Sequence, residues 1–295
     1  MTIMPVDQII RLGLPKGRMQ DNVFALLEDA GIHIRSGGSS STRDYRPKLS
    51  LPGFDAKLLK PQNIVEMRDV GSRDLGFAGA DWVAEKEADL VELVDTGLDH
   101  VQLVAAAPVK LLVDGALPGQ HLVIASEYER LTRDWIARAN LDATFVRSYG
   151  ATEVFPPEDA DCIVDNSATG STLRANGLEI VGEVMTSSTR LYAHPASLED
   201  ADKRAAIYSF VMMVGSVLDA RRRVMVEVNV TADDLEAVID VLPSMREPTI
   251  SPLHGAGGFA IKSAVPRDEL AQVIPRIKAQ GGTDIVVSPI GNIVS

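Results

Sequence analysis

Residues 165–172 read Asp-Asn-Ser-Ala-Thr-Gly-Ser-Thr, directly after the apolar run Cys162-Ile163-Val164 and directly before Leu173-Arg174-Ala175. An acid at a strand end, then small hydroxylated residues around a glycine, then a helix start, makes a turn where backbone N–H groups and hydroxyls converge. That is an oxyanion-binding geometry. Gly170 would let the backbone approach a phosphate, Thr169, Ser171 and Thr172 would add hydroxyl donors, and Asp165 would accept from sugar hydroxyls or help hold a metal. On these residues alone, a serine-threonine capping loop with no ligand stays open as the alternative.

The charge distribution bears on the same question. The 295-residue chain carries a net charge of −12, which argues against a broad nucleic-acid surface. Residues 1–60 nevertheless hold nine basic side chains (Arg11, Lys16, Arg18, Arg35, Arg43, Arg46, Lys48, Lys57, Lys60) against six acidic ones. A small anionic ligand near that segment fits the asymmetry, as does ordinary solvated surface charge. The five histidines show no metal-ligand spacing, and the single cysteine, Cys162, sits in an apolar run as a buried, inert thiol. No apolar run is long enough to span a bilayer, and "MTIMPVDQIIRLGLPKGR" lacks the charged lead and long apolar core of a secretion signal. No membrane association and a cytoplasmic location are expected.

The elements that must position these residues alternate short apolar strands with helices. Strands are expected at 11–14, near 57–60, at 75–80, 90–94, 101–109, 121–125, 143–148 and 162–165, with helices over 21–30, near 61–70, after 80 and over 127–139, and a glycine-serine loop at 36–42. This grammar is α/β, with a largely parallel sheet. A long helix pattern from Leu198 to Arg223 ends in basic residues, and the order then restarts. "VMVEVNV", a helix that Thr231 can cap, "PTISPL", "GFAIKSAV", a second helix and "TDIVVSPI" form a β-α-β-β-α-β unit of ferredoxin-like type.

Several ordered blocks carry a resemblance. "DNSATGSTLRANGLEIVGEV" resembles the phosphoribosyl-diphosphate loop of ATP phosphoribosyltransferases, the first enzymes of histidine biosynthesis. "LGLPKGRMQDNVFALLEDAGI", "RDYRPKLSLPGFDAKLLKPQNI", "DLGFAGADWVAE", "GATEVFPPEDADCIVD", and "PTISPL" with "GTDIVVSPI" resemble that family's other blocks in order, across nearly the whole chain. The resemblance implies a two-lobed, periplasmic-binding-protein-like catalytic core and a C-terminal ACT-like regulatory domain, the long form. Lobe I would comprise 1–103 with 183–205, lobe II 104–182, a linker helix 206–223, and the regulatory domain 224–295.

The implied reaction joins C1 of phosphoribosyl diphosphate to N1 of ATP and releases pyrophosphate, with Mg²⁺ as cofactor. Lys16, Arg18, Lys60 and Asp165 would be the catalytic residues, and Glu153, Ser167, Ala168, Thr169, Gly170, Ser171 and Thr172 would bind substrate; the metal ligands are not assigned. The family further implies a homo-hexamer built from dimers, and L-histidine as feedback inhibitor. Asn229, Thr249 and Asp284 are the polar groups expected near the histidine site. Three departures stand out: Lys60 where the family usually has arginine, Asn63 where it has aspartate, and Ala168 where it has glutamate or serine. Asp284 replaces a small apolar residue. A paralogue with an altered acceptor or a regulatory role, and a small-anion binding protein on the same two-lobed fold, are the alternative readings.

Overall fold

A computed structural model describes residues 9–35, 45–255 and 257–294; the glycine-serine loop expected at 36–42 lies outside them. The strands are β1 (Ile10–Pro15), β2 (Ile34–Arg35), β3 (Lys48–Leu49), β4 (Phe54–Leu59), β5 (Leu75–Gly79), β6 (Val91–Pro108), β7 (Leu122–Ser126), β8 (Ala143–Arg147), β9 (Cys162–Ser167), β10 (Leu178–Ala193), β11 (Arg223–Thr231), β12 (Thr249–Pro252), β13 (Gly258–Pro266) and β14 (Thr283–Pro289). The helices are α1 (Gln20–Asp29), α2 (Pro61–Asp69), α3 (Ala80–Lys86), α4 (Glu129–Arg138), α5 (Ser171–Ala175), α6 (Pro195–Glu199), α7 (Ala201–Arg221), α8 (Leu235–Val241) and α9 (Leu270–Ala279). The chain forms two compact units, the second made of Ser209–Ser295 with the short segment Asp29–Gly31 and the first of the rest.

In the first unit one sheet runs β4-β1-β5-β10-β6-β9-β7-β8. Its outer trios are parallel wings, β4-β1-β5 and β9-β7-β8. Two long antiparallel strands, β6 and β10, run through both wings and join them. Two parallel wings joined by a shared antiparallel pair thus make the α/β core. Period-two alternation fills it: Leu103, Ala105 and Ala107 of β6 pack on one face with Leu131 and Trp135, while Val104 and Ala106 pack on the other with Ile163 and Leu173. Cys162 is wholly buried, and that burial pushes its thiol up to about 12, as an inert core cysteine requires.

Three expectations need correction. The separate strands at 90–94 and 101–109 are one strand, β6, interrupted by left-handed Gly97 and Asp99 rather than ended. The central strand β10 was not expected. Its register shifts at Ile180/Gly182, Glu183/Met185 and Ser187/Thr189, so no steady alternation marks it. The helix run from Leu198 to Arg223 is two helices, because Asp200 Oδ1 accepts from the N–H groups of Asp202 and Lys203, at 3.0 Å each, and starts α7 afresh.

The second unit has the order expected, β11-α8-β12-β13-α9-β14, in a four-stranded antiparallel sheet β12-β13-β11-β14. Val224, Val226, Val228 and Val230 turn one face of β11 onto Val238 of α8 and Val273 and Ile277 of α9. Thr231 Oγ1 takes the N–H of Asp234 at the start of α8. This is the ACT-like C-terminal domain. Among the described residues no helix is long and apolar enough to cross a membrane.

Candidate active site

Parallel strands bring their carboxyl ends to one side of a sheet, where ligands of α/β proteins bind. In the first wing, β1 pairs with β4 in a register that sets Pro15 beside Leu59, and Lys16 N–H donates to Leu59 O at 2.9 Å. Lys16 and Lys60, the residues next along each strand, therefore stand side by side. Lys60 also opens α2 at its N-cap, with Pro61 at the first helical position. Lys16 lies 5.3 Å from the ring centre of Tyr45.

Lys16, Arg18 and Lys60 line a cleft of about 410 Å³ together with Asp165 and Asn166 from the end of β9. Arg18, Asp165 and Asn166 also line an adjoining cradle of about 260 Å³, whose other walls are Glu153 and residues Ser167, Ala168, Thr169, Gly170, Ser171 and Thr172. Every catalytic and substrate-binding candidate thus faces one of two neighbouring cavities. The cradle is shaped by its own hydrogen bonds: Gly170 N–H donates to the buried Ser167 Oγ at 2.9 Å, and Thr169 Oγ1 to Ser171 Oγ at 3.0 Å. Gly170 holds φ +70°, a left-handed turn that suits glycine. Its N–H is engaged, so Gly170 contributes shape, and the hydroxyls contribute donors.

Half-buried Asp165 accepts from the N–H of Asn166 at 2.7 Å. Burial pushes its carboxyl up to about 6; the Asn166 N–H opposes this, and the charges of Glu153 and Glu127 add to it. A carboxylate destabilised by its neighbours' charge is one that a cation or sugar hydroxyls would relieve. Among the described residues no group of three or more metal-ligating side chains is assembled. Asp165 and Glu153, which both line the cradle, could assist a Mg²⁺ held mainly by substrate phosphates, the way this ion is usually bound.

The floor of the cleft holds a network that the sequence reading missed. Asp81, 4% exposed, follows β5, and its Oδ1 accepts from Ser187 Oγ at 2.7 Å. Its Oδ2 accepts from Tyr128 OH at 2.6 Å, and Asn166 Nδ2 donates to that same hydroxyl. Burial first, then the Asp81 carboxylate, push the Tyr128 phenol well above its ordinary value, so its O–H stays a donor. Tyr128 stacks on Trp82 with ring centres 4.5 Å apart, and both rings line the cleft. Gly79 leaves room for this network, since a Cβ there would lie 2.1 Å from Asp81 Oδ1. The sequence signals were weak: an acid just past an apolar strand at Asp81, and the hydroxyl run 186–189 on β10.

In the second unit, Asn229 Nδ2 donates to Asp284 Oδ2 at 3.1 Å, across neighbouring strands β11 and β14. Thr249 stands on β12, at the opposite edge, with β13 between it and β11. The sheet therefore brings two of the three polar candidates together and leaves Thr249 apart, two strands from Asn229 and level with Glu227, and three strands from Asp284.

Comparisons with known proteins agree along the chain. Residues 60–215 match the family described as ATP phosphoribosyltransferase, and residues 220–292 match the HisG C-terminal domain. An ATP phosphoribosyltransferase of Chlorobium phaeovibrioides is 34% identical over 98% of this chain and 98% of its own length. One from Desulforudis audaxviator is 33% identical over 97% of this chain and 99% of its own. Among solved structures, the ATP phosphoribosyl transferase (HisG:HisZ) complex from Thermotoga maritima covers 70% of this chain and 97% of the matched chain, with TM-score 0.61 and 24% identity, a likeness of fold. With the family's matches spanning both units, the chain belongs to the ATP phosphoribosyltransferase family.

Proposed function

We propose that the cleft transfers the phosphoribosyl group of phosphoribosyl diphosphate to N1 of ATP, the first step of histidine biosynthesis, using the residues placed above. The observation that carries this assignment of roles is the shared wall: Arg18, Asp165 and Asn166 face both the cationic cleft and the hydroxyl-lined cradle. A substrate with a phosphate at one end and a pyrophosphate at the other fits such a pair of cavities. The 5-phosphate lies in the Ser167–Thr172 cradle, Asp165 and Glu153 take the ribose hydroxyls, and Lys16, Arg18 and Lys60 face the pyrophosphate.

The N1 lone pair of adenine attacks C1 while the bond from C1 to the pyrophosphate oxygen breaks. The cations stabilise the charge that gathers on the departing pyrophosphate, and the loop holds C1 in line. Half-buried Trp82, backed by the buried Tyr128 ring, offers a flat aromatic surface to the purine. No enzyme nucleophile is required. Mg²⁺, when bound, neutralises phosphate charge and orients the leaving group.

The lobe assignment of 1–103 with 183–205 against 104–182 draws on β6 and β10, which pass from the first wing to the second between Leu98 and Val101 and between Thr189 and Ser187, a few residues from those bounds. Residues 206–223 act as the linker helix and 224–295 as the regulatory domain. L-Histidine is the inhibitor read by that domain, the Asn229 and Asp284 pair being polar groups suited to an amino acid. The assembly is a homo-hexamer built from dimers, and the location cytoplasmic.

The experiment is an assay of purified protein with phosphoribosyl diphosphate, Mg²⁺ and each nucleotide in turn, scoring pyrophosphate release. Release with ATP and formation of ATP phosphoribosylated at N1 are expected. Release with a different nucleotide would assign an altered acceptor, and no release with any would remove the enzymatic reading.

A further inference from the structure

We infer that Arg174 is a positioning residue for the phosphate cradle, a strut that fixes the loop from behind. The inference rests on the reading of residues 165–172 as the phosphate loop. Arg174 leaves α5 and folds back, and its Nη2 donates to the carbonyl of Thr169 at 2.8 Å. Its own N–H donates to Gly170 O at 3.0 Å. Its Nη1 passes so close to Gly170 that a Cβ there would come within 2.7 Å.

The guanidinium is behind the loop and not in the cradle. Arg174 lines a separate groove of about 400 Å³ with Val109, Gly177 and Leu178, which shares only Gly170 and Leu173 with the cradle. The peptide joining Thr169 to Gly170 is consequently pinned at both ends, its carbonyl by Arg174 and its N–H by Ser167 Oγ. A carbonyl oxygen free to rotate into an anion site would repel the phosphate; one turned onto a guanidinium cannot. Glycine at 170 thus serves two demands, the left-handed turn and the passage of Arg174.

The test uses the full chain with Arg174→Met, which keeps the apolar stem and removes the donors, Arg174→Lys, which restores a donor, and Thr172→Ala as a reporter of the loop itself. Pyrophosphate release is measured with phosphoribosyl diphosphate and ATP each varied, beside the thermal midpoint. Arg174→Met should raise KM for phosphoribosyl diphosphate about 3- to 10-fold, the range for one lost hydrogen bond at a solvent-facing side chain, with kcat and the KM for ATP within about 2-fold. Arg174→Lys should recover part of that loss. If Thr172→Ala raises this KM and Arg174→Met does not, the strut is refuted while the loop reading stands. If neither variant moves it, the loop reading fails and the inference with it. A fall in kcat and a rise in both KM values alongside a lowered thermal midpoint would make Arg174 a general fold residue and overturn its positioning role.

Discussion

On one side of the cleft stand Lys16, Arg18 and Lys60, placed by the ends of β1 and β4, with Arg18 and Lys60 exposed and Lys16 half-buried. On the other stand Asp165 to Thr172, held from within by Ser167 and from behind by Arg174, and tied through Asn166 and Tyr128 to Asp81 on the floor. The first wall offers charge on long, pliant side chains, whereas the second offers fixed geometry. Charge acts over several ångströms and tolerates movement, but a phosphate cradle works only when its donors converge. Substitutions on the two walls should therefore damage different quantities.

The largest effect is expected at the floor. Asp81→Ala would leave Tyr128 OH and Ser187 Oγ buried without their acceptor and cost about 3 kcal/mol, lowering the midpoint of thermal unfolding by about 6 to 12 °C. An unchanged midpoint would show that the network adds nothing to the rigidity of that wall. Gly170→Val comes next: a branched side chain at φ +70° that also meets Arg174 should weaken phosphoribosyl-diphosphate binding by about 30-fold or more, as calorimetry would read. Wild-type affinity in this variant would sink the cradle assignment.

A smaller, pH-dependent effect belongs to Asp165. Because its folded carboxyl is raised from the ordinary 3.8 to about 6, the native state holds this proton more tightly than the unfolded chain, so stability falls as pH rises between those values. Asp165→Asn should thus raise the thermal midpoint at pH 7 by about 2 to 4 °C and lose that advantage near pH 4. Since the ionised form is the one that accepts from ribose or metal, kcat/KM of the wild type should climb through about pH 6, and the variant's profile should lack that limb. An identical limb in both would assign it to another group.

The weakest effect on catalysis is expected from the second unit. Truncation before Val224 should abolish inhibition by L-histidine while leaving some turnover. Inhibition of the truncated chain at the same histidine concentration would place the inhibitor elsewhere.

Legibility in the sequence followed the range of the interactions. The cradle was readable because its glycine and hydroxyls are consecutive, and β11 because its valines alternate without a break. The wall opposite was half-readable: Lys16 and Lys60 were singled out, but only the parallel register of β1 and β4 puts them side by side. The floor was not readable, since Asp81 meets Tyr128 47 positions on and Ser187 106 positions on. β10 escaped for a local reason. Each register shift moves its side chains to the other face, and alternation, the only mark of a half-buried strand, disappears.

The most direct measurement is a paired one: steady-state pyrophosphate release by Lys60→Ala and Thr172→Ala, with phosphoribosyl diphosphate varied at saturating ATP and Mg²⁺. Loss of a cation that acts on the departing pyrophosphate should lower kcat by about 10- to 1,000-fold in Lys60→Ala, and Lys60→Arg should keep or raise the wild-type rate. Thr172→Ala should instead raise KM by about 3- to 10-fold with kcat nearly kept. A division of labour between a charged wall and a shaped wall predicts that split; equal changes in the same parameter for both variants, or wild-type kinetics in Lys60→Ala, would contradict it.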